Sequence, residues 1–82
     1  MTLIDRHIDE IRELISKEYG IRPIVGQRES CNLGGAREIR FQASLDGTEK
    51  SAVLTELLGA AIRIKMFDGK VGTFSNHAIE WK

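Results

Sequence analysis

The chain has 82 residues, of which 41% are hydrophobic and 29% charged. That is ordinary for one small globular domain spanning residues 1–82, and too short for a second core. The composition excludes a disordered tail and a collagen-like repeat, and no stretch approaches the ~20 consecutive apolar residues of a bilayer crossing. Twelve basic residues balance twelve acidic ones, so net charge by itself points to neither a nucleic-acid binder nor an acidic tail.

Residues 3–19 are expected to form a helix. Thr2 followed by Asp5 resembles a capping box, Ile4, Ile8, Ile11 and Ile15 recur at helical spacing, and Leu14 and Tyr19 widen the stripe. Gly20 stands where a helix ends in a left-handed residue. Residues 21–28 read as a strand, with Pro23 suiting an edge or a strand's first residues. Ser30-Cys31-Asn32-Leu33-Gly34-Gly35 then reads as a chain-reversing turn. Residues 38–45 alternate, with Ile39, Phe41, Ala43 and Leu45 on one face and Arg40, Gln42 and Ser44 on the other. The pair forms a hairpin.

Asp46-Gly47-Thr48 marks a turn, and Asp46 with Glu49 can cap a second helix. Val53, Leu54, Leu57, Leu58 and Ala61 supply its apolar stripe, with Gly59 as terminator. A competing reading carries that helix on to Met66. The break is preferred, because Ile62, Ile64 and Met66 alternate with Arg63 and Lys65 as a strand does. Asp68-Gly69 is a hairpin turn, and one or two strands follow over residues 70–74 and 77–82. The expected order is α-β-β-α-β-β, with room for one extra short strand. This is an α+β two-layer sandwich in which two helices pack on one face of an antiparallel sheet.

Charge is unevenly distributed along the chain. Residues 1–20 carry a net −2, residues 21–45 a net +2, residues 46–60 a net −2 and residues 61–82 a net +2. With helices acidic and strands basic, the molecule is expected to be electrically two-sided. Asp5, Asp9 and Glu13 form a row along the first helix, with Glu10 close by. Like charges at that spacing cost a few tenths of a kcal/mol per pair, so helix stability alone does not account for them. They read either as a solvated face favoured by the helix dipole or as a docking strip for a basic partner. No histidine or loop is read as completing a metal shell around them. Arg40, Arg63 and Lys65, joined by Arg22 or Arg28, are expected on the outer sheet face. There they suit contact with nucleic-acid phosphates or another acidic partner, or serve as a soluble face that discourages edge association.

Catalytic chemistry is sparse. Cys31 would need His7 or His77 as base, and nothing in the spacing joins them. Two histidines and one cysteine fall short of a four-ligand zinc site. Gly34-Gly35 lacks the lysine and hydroxyl residue of a phosphate loop. His7 and His77 read as surface groups. Trp81 either closes the core from the last strand or, projecting outward, anchors a partner. A single cysteine also suits a reducing compartment. The start, Met1-Thr2-Leu3-Ile4-Asp5-Arg6, meets charge too early for a signal peptide, so a cytoplasmic location is expected. A small core often needs a staple, and with disulfides excluded a homodimer is an open alternative to a monomer.

These features lead to the expectation of a non-enzymatic interaction module without cofactor, metal or membrane contact. It would be an inhibitor or adaptor, of a kind phages and other mobile elements encode, that binds a larger protein or nucleoprotein complex through Asp5, Asp9, Glu10 and Glu13. The alternative is a nucleic-acid-binding accessory protein that uses Arg40, Arg63 and Lys65.

Overall fold

The isoleucine stripe of the N-terminal segment needs one apolar surface to cover, and the alternating strands supply it. A computed structural model describes residues 3–31, 37–58 and 61–82, and of residues 23–31 the backbone alone. Among these residues one helix, α1 (Leu3–Tyr19), precedes six strands: β1 (Arg22–Cys31), β2 (Arg37–Leu45), β3 (Thr48–Glu56), β4 (Ile62–Lys65), β5 (Val71–Ser75) and β6 (Ala78–Trp81). The strands pair antiparallel in sequence order, so the sheet is a meander with β1 and β6 at its edges.

The helix ends as its sequence requires. Gly20 adopts φ 64° while its N–H donates to the Ser16 carbonyl at 2.7 Å, which stops α1 after Tyr19. Ile4, Ile11 and Ile15 are fully buried, and α1 lies across β1, β3 and β6. Their partners are Ile39, Phe41 and Ala43 from β2, Ala52 and Leu54 from β3, Ile62 and Ile64 from β4, and Phe74 from β5. Each buried isoleucine, leucine or phenylalanine side chain here contributes about 1.5–3 kcal/mol when taken out of water, so this single contact surface dominates stability. The fold is α+β, with an antiparallel sheet and one helix on one of its faces.

The second helix expected over the Val53–Ala61 stripe does not form: residues 48–56 are strand β3. The cause is the preceding turn. Asp46 and Gly47 both take positive φ, 55° and 76°, in a two-residue connection between β2 and β3. This is the primed turn whose twist matches a hairpin, and it sets the two strands in register from Leu45↔Thr48 to Glu38↔Thr55. Ala52 and Leu54 therefore point inward and are fully buried, with Val53 between them on the opposite face. Leu58 of the presumed stripe is fully exposed. Asp46 is thus a turn residue and not a helix cap, and the repeated α-β-β arrangement is replaced by a continuous meander.

The remaining turns follow the same logic. Asp68 Oδ1 accepts from the Lys70 N–H at 2.8 Å, and Gly69 takes φ 89° between β4 and β5. Asn76 and His77, φ 51° and 61°, form a second two-residue turn closed by the Ser75↔Ala78 pair. Pro23 lies in the edge strand β1, where its missing N–H is tolerated. Cys31, expected in a turn, ends β1 opposite Arg37. Thr2, Gly59 and the Asn32-Leu33-Gly34-Gly35 part of the expected turn lie outside the described residues. The helix start is served from a distance: the Leu3 N–H donates to Glu56 Oε1 at 3.1 Å, which sets a carboxylate at the positive end of the helix dipole.

Trp81 lies on the helix side of the sheet and packs against the core, with Tyr19 edge-on at 5.3 Å and the Lys70 ammonium 5.3 Å from its ring. Burial of the Tyr19 hydroxyl pushes its pKa up, and the charges of Asp68 and Glu18 add to the effect. Opposite Trp81 is Gly72, where a β-carbon would stand 2.6 Å from the indole Cε3. Gly72→Ala is therefore expected to cost about 1–3 kcal/mol by forcing the ring to move. In a Trp81→Ala background that cost should largely vanish. A thermal double-mutant cycle measures this, and additive losses would show that the ring does not rest on Gly72.

Candidate functional site

Two regions of the surface gather functional groups. The first joins α1 to the last hairpin. His7 and Glu10 are three residues apart, so they share one face of the helix. The β5–β6 turn brings His77 to the same place. Glu10 Oε2 lies 3.1 Å from His7 Nδ1 and Oε1 lies 2.7 Å from His77 Nδ1, so one carboxylate spans two imidazoles. The rings stand edge-on at 5.4 Å, and His7 also rests against Phe74 at 5.1 Å. The His7 side chain is 18% exposed and that of His77 72% exposed, which makes the cluster a shelf with one packed wall and one open side. The hydrogen bond with His77, and after it the one with His7, holds the Glu10 pKa below the ordinary carboxylate value, with desolvation opposing.

The two histidines, read singly as surface groups, are thus brought together, and the reading of the acidic row as lacking a nearby histidine is corrected. The His7–Glu10 half was available in the sequence as a helical i, i+3 pair. His77 was not, because only the sheet register delivers it across 67 positions.

The second region is the sheet face turned away from α1. Among the described residues no helix covers it. Arg40, Val53 and Lys65 form one row across β2, β3 and β4, and Arg63 pairs with Thr55 two positions along. At about 4.8 Å per strand, Arg40 and Lys65 stand about 10 Å apart with half-buried Val53 between them. All three cations are exposed, as the alternation implied. Glu38 and Glu80 flank the Arg63 row from the two sides, so positive charge is concentrated at the centre of the face. Arg22 is exposed opposite Ser44 near the end of the sheet, and the Arg28 backbone pairs with Arg40.

The acidic helix row is divided. Asp5 accepts from Arg37 Nη1 at 2.6 Å, which ties α1 to the start of β2, and Glu10 belongs to the histidine cluster. Asp9 is 96% exposed, with Arg12 3.9 Å away, and Glu13 is exposed. Within the acidic segment of residues 46–60, Thr48–Glu56 form β3 and not a helix, so among the described residues the division into acidic helices and basic strands holds only for α1. Cys31 ends β1, whereas His7 and His77 meet at α1 and the last turn. Among the described residues no helix is long and apolar enough to cross a membrane. No protein-family model, curated protein or solved structure matches this chain.

If Glu10 holds the last turn against the helix, Glu10→Gln should loosen that turn locally. Amide exchange at Asn76, His77 and Ala78 is expected to quicken several-fold, with the β2–β3 hairpin unaffected. Unchanged exchange at the turn would show that the carboxylate does not hold it.

Proposed function

We propose that this protein is a small, non-catalytic interaction module, acting in the cytosol as a stoichiometric inhibitor or adaptor of a larger protein. The observation that carries the reading is the open sheet face with Arg40, Arg63 and Lys65 around Val53. This antiparallel face offers an acidic protein surface three cations on paired strands, with half-buried Val53 as an apolar contact between Arg40 and Lys65. The partner surface is therefore acidic. The acidic helix row is a weaker candidate, because two of its four members, Asp5 and Glu10, already hold other elements in place.

A nucleic-acid partner for the same three residues is the second reading. It is less favoured because Phe41, Phe74 and Trp81 all face the helix side, and no aromatic side chain among the described residues lies on the open face for bases to stack on. A homodimer is compatible with either reading, since α1 retains exposed Asp9 and Glu13 while the sheet face is basic.

Pull-down of the tagged chain with and without nuclease, followed by titration of the purified partner, separates these readings. A protein partner that survives nuclease is expected. Its affinity should fall about 10- to 100-fold when Arg40→Glu, Arg63→Glu and Lys65→Glu are combined. Each substitution lies at an exposed position, where changes stay within about 0.5 kcal/mol of wild-type stability. Undiminished affinity in the triple variant would overturn the sheet-face reading. Loss of all partners on nuclease treatment, with affinity falling steeply as salt rises, would instead establish the nucleic-acid reading.

A further inference from the structure

The His7–Glu10–His77 cluster has a chemistry that the interaction reading does not use. Its three side chains each offer one donor atom, and those atoms lie within 4.8 Å of one another. Tetrahedral zinc, with bonds of about 2.0–2.1 Å, holds its donors about 3.4 Å apart, so the three need only small rotations to converge on one ion. We propose that His7, Glu10 and His77 bind a divalent transition-metal ion, with Zn2+ the best-matched, and that the bound ion fastens the C-terminal hairpin to α1.

The donor set selects the class of ion. Two neutral imidazoles and one carboxylate place one negative charge against a 2+ ion, and imidazole nitrogen is a donor that Ca2+ and Mg2+ do not favour. Three protein ligands leave the fourth position to water on the open side, where His77 is exposed. The supporting wall is already built: Phe74 packs against the His7 ring, and α1 fixes His7 and Glu10 at one helical turn. Residues 76 and 77 are the whole connection between two paired strands, so His77 is presented on a short rigid turn. Binding would replace the hydrogen bonds between imidazole and carboxylate with metal–ligand bonds. The ligand protons would be released to solvent, and affinity would fall as pH drops. The site lies on the helix side, away from Arg40, Arg63 and Lys65, so its occupancy and the partner contact are separable.

The test uses the full chain, stripped with chelator and dialysed, and reads calorimetric binding, thermal unfolding and Co2+ absorption. One Zn2+ per chain is expected. Tm should rise by about 5–10 °C at free Zn2+ about ten times Kd, with no comparable rise for Mg2+ or Ca2+. Co2+ should give visible absorption bands of a low-coordinate nitrogen and oxygen site. His77→Asn removes a ligand while keeping a residue that tolerates positive φ, and should weaken Zn2+ at least about tenfold. Glu10→Gln should do the same, whereas Asp9→Asn on the same helix should leave binding unchanged. Absent Zn2+ binding by a cooperatively folding wild type would overturn the proposal. So would one ion per two chains, equal response to Mg2+, or unaltered binding in both His77→Asn and Glu10→Gln.

Discussion

The contact between one helix face and one sheet face is the constraint on which everything else in this molecule depends. A six-stranded meander alone would leave Ile39, Phe41, Leu54, Ile62, Ile64 and Phe74 on a naked apolar surface, and α1 alone would expose its isoleucine stripe. Among the described residues, neither element buries its apolar side without the other. Sheet register follows from the same requirement. A slip of one residue in any hairpin would turn that strand's buried set outward, so the core and the turns specify the register together.

Polar ties cluster at the margins of that contact. Glu56 meets the start of α1 at Leu3, Arg37 meets Asp5 within the same first turn, and His77 meets Glu10 further along the helix. Each joins the helix to a different part of the sheet: the end of β3, the start of β2 and the β5–β6 turn. Surface contacts of this type are individually worth little against the burial of the isoleucines. Their effect is on orientation. They fix the direction and rotation of a helix whose apolar stripe could otherwise slide along the sheet.

The charge layout follows from the same geometry. Because α1 covers one face only, the alternation that buries Ile39, Phe41, Ile62 and Ile64 necessarily sends Arg40, Arg63 and Lys65 to the other. The basic face is therefore a consequence of strand periodicity, and its concentration at the centre comes from the register of β2, β3 and β4. On the helix side the four acidic residues first read as one strip have separate fates, since tertiary partners claim Asp5 and Glu10 but leave Asp9 and Glu13 exposed.

The amino-acid sequence by itself determined the elements whose pattern is local: α1 with its stop at Gly20, the alternation of β2 and β4, the edge position of Pro23, and the outward placement of Arg40, Arg63 and Lys65. Helical and strand periods belong to a segment's own residues, so no distant partner is needed to recognise them. For residues 48–56 local pattern was ambiguous, because Val53, Leu54 and Leu57 satisfy a helical spacing while Ala52 and Leu54 satisfy a strand. Tertiary structure decided between them, through the positive φ of Asp46 and Gly47 and pairing with β2 along the whole strand. It alone also brought His77 to Glu10 and Glu56 to the start of α1. Those contacts depend on the accumulated register of the hairpins, a property of the assembled sheet that no window of neighbouring residues contains.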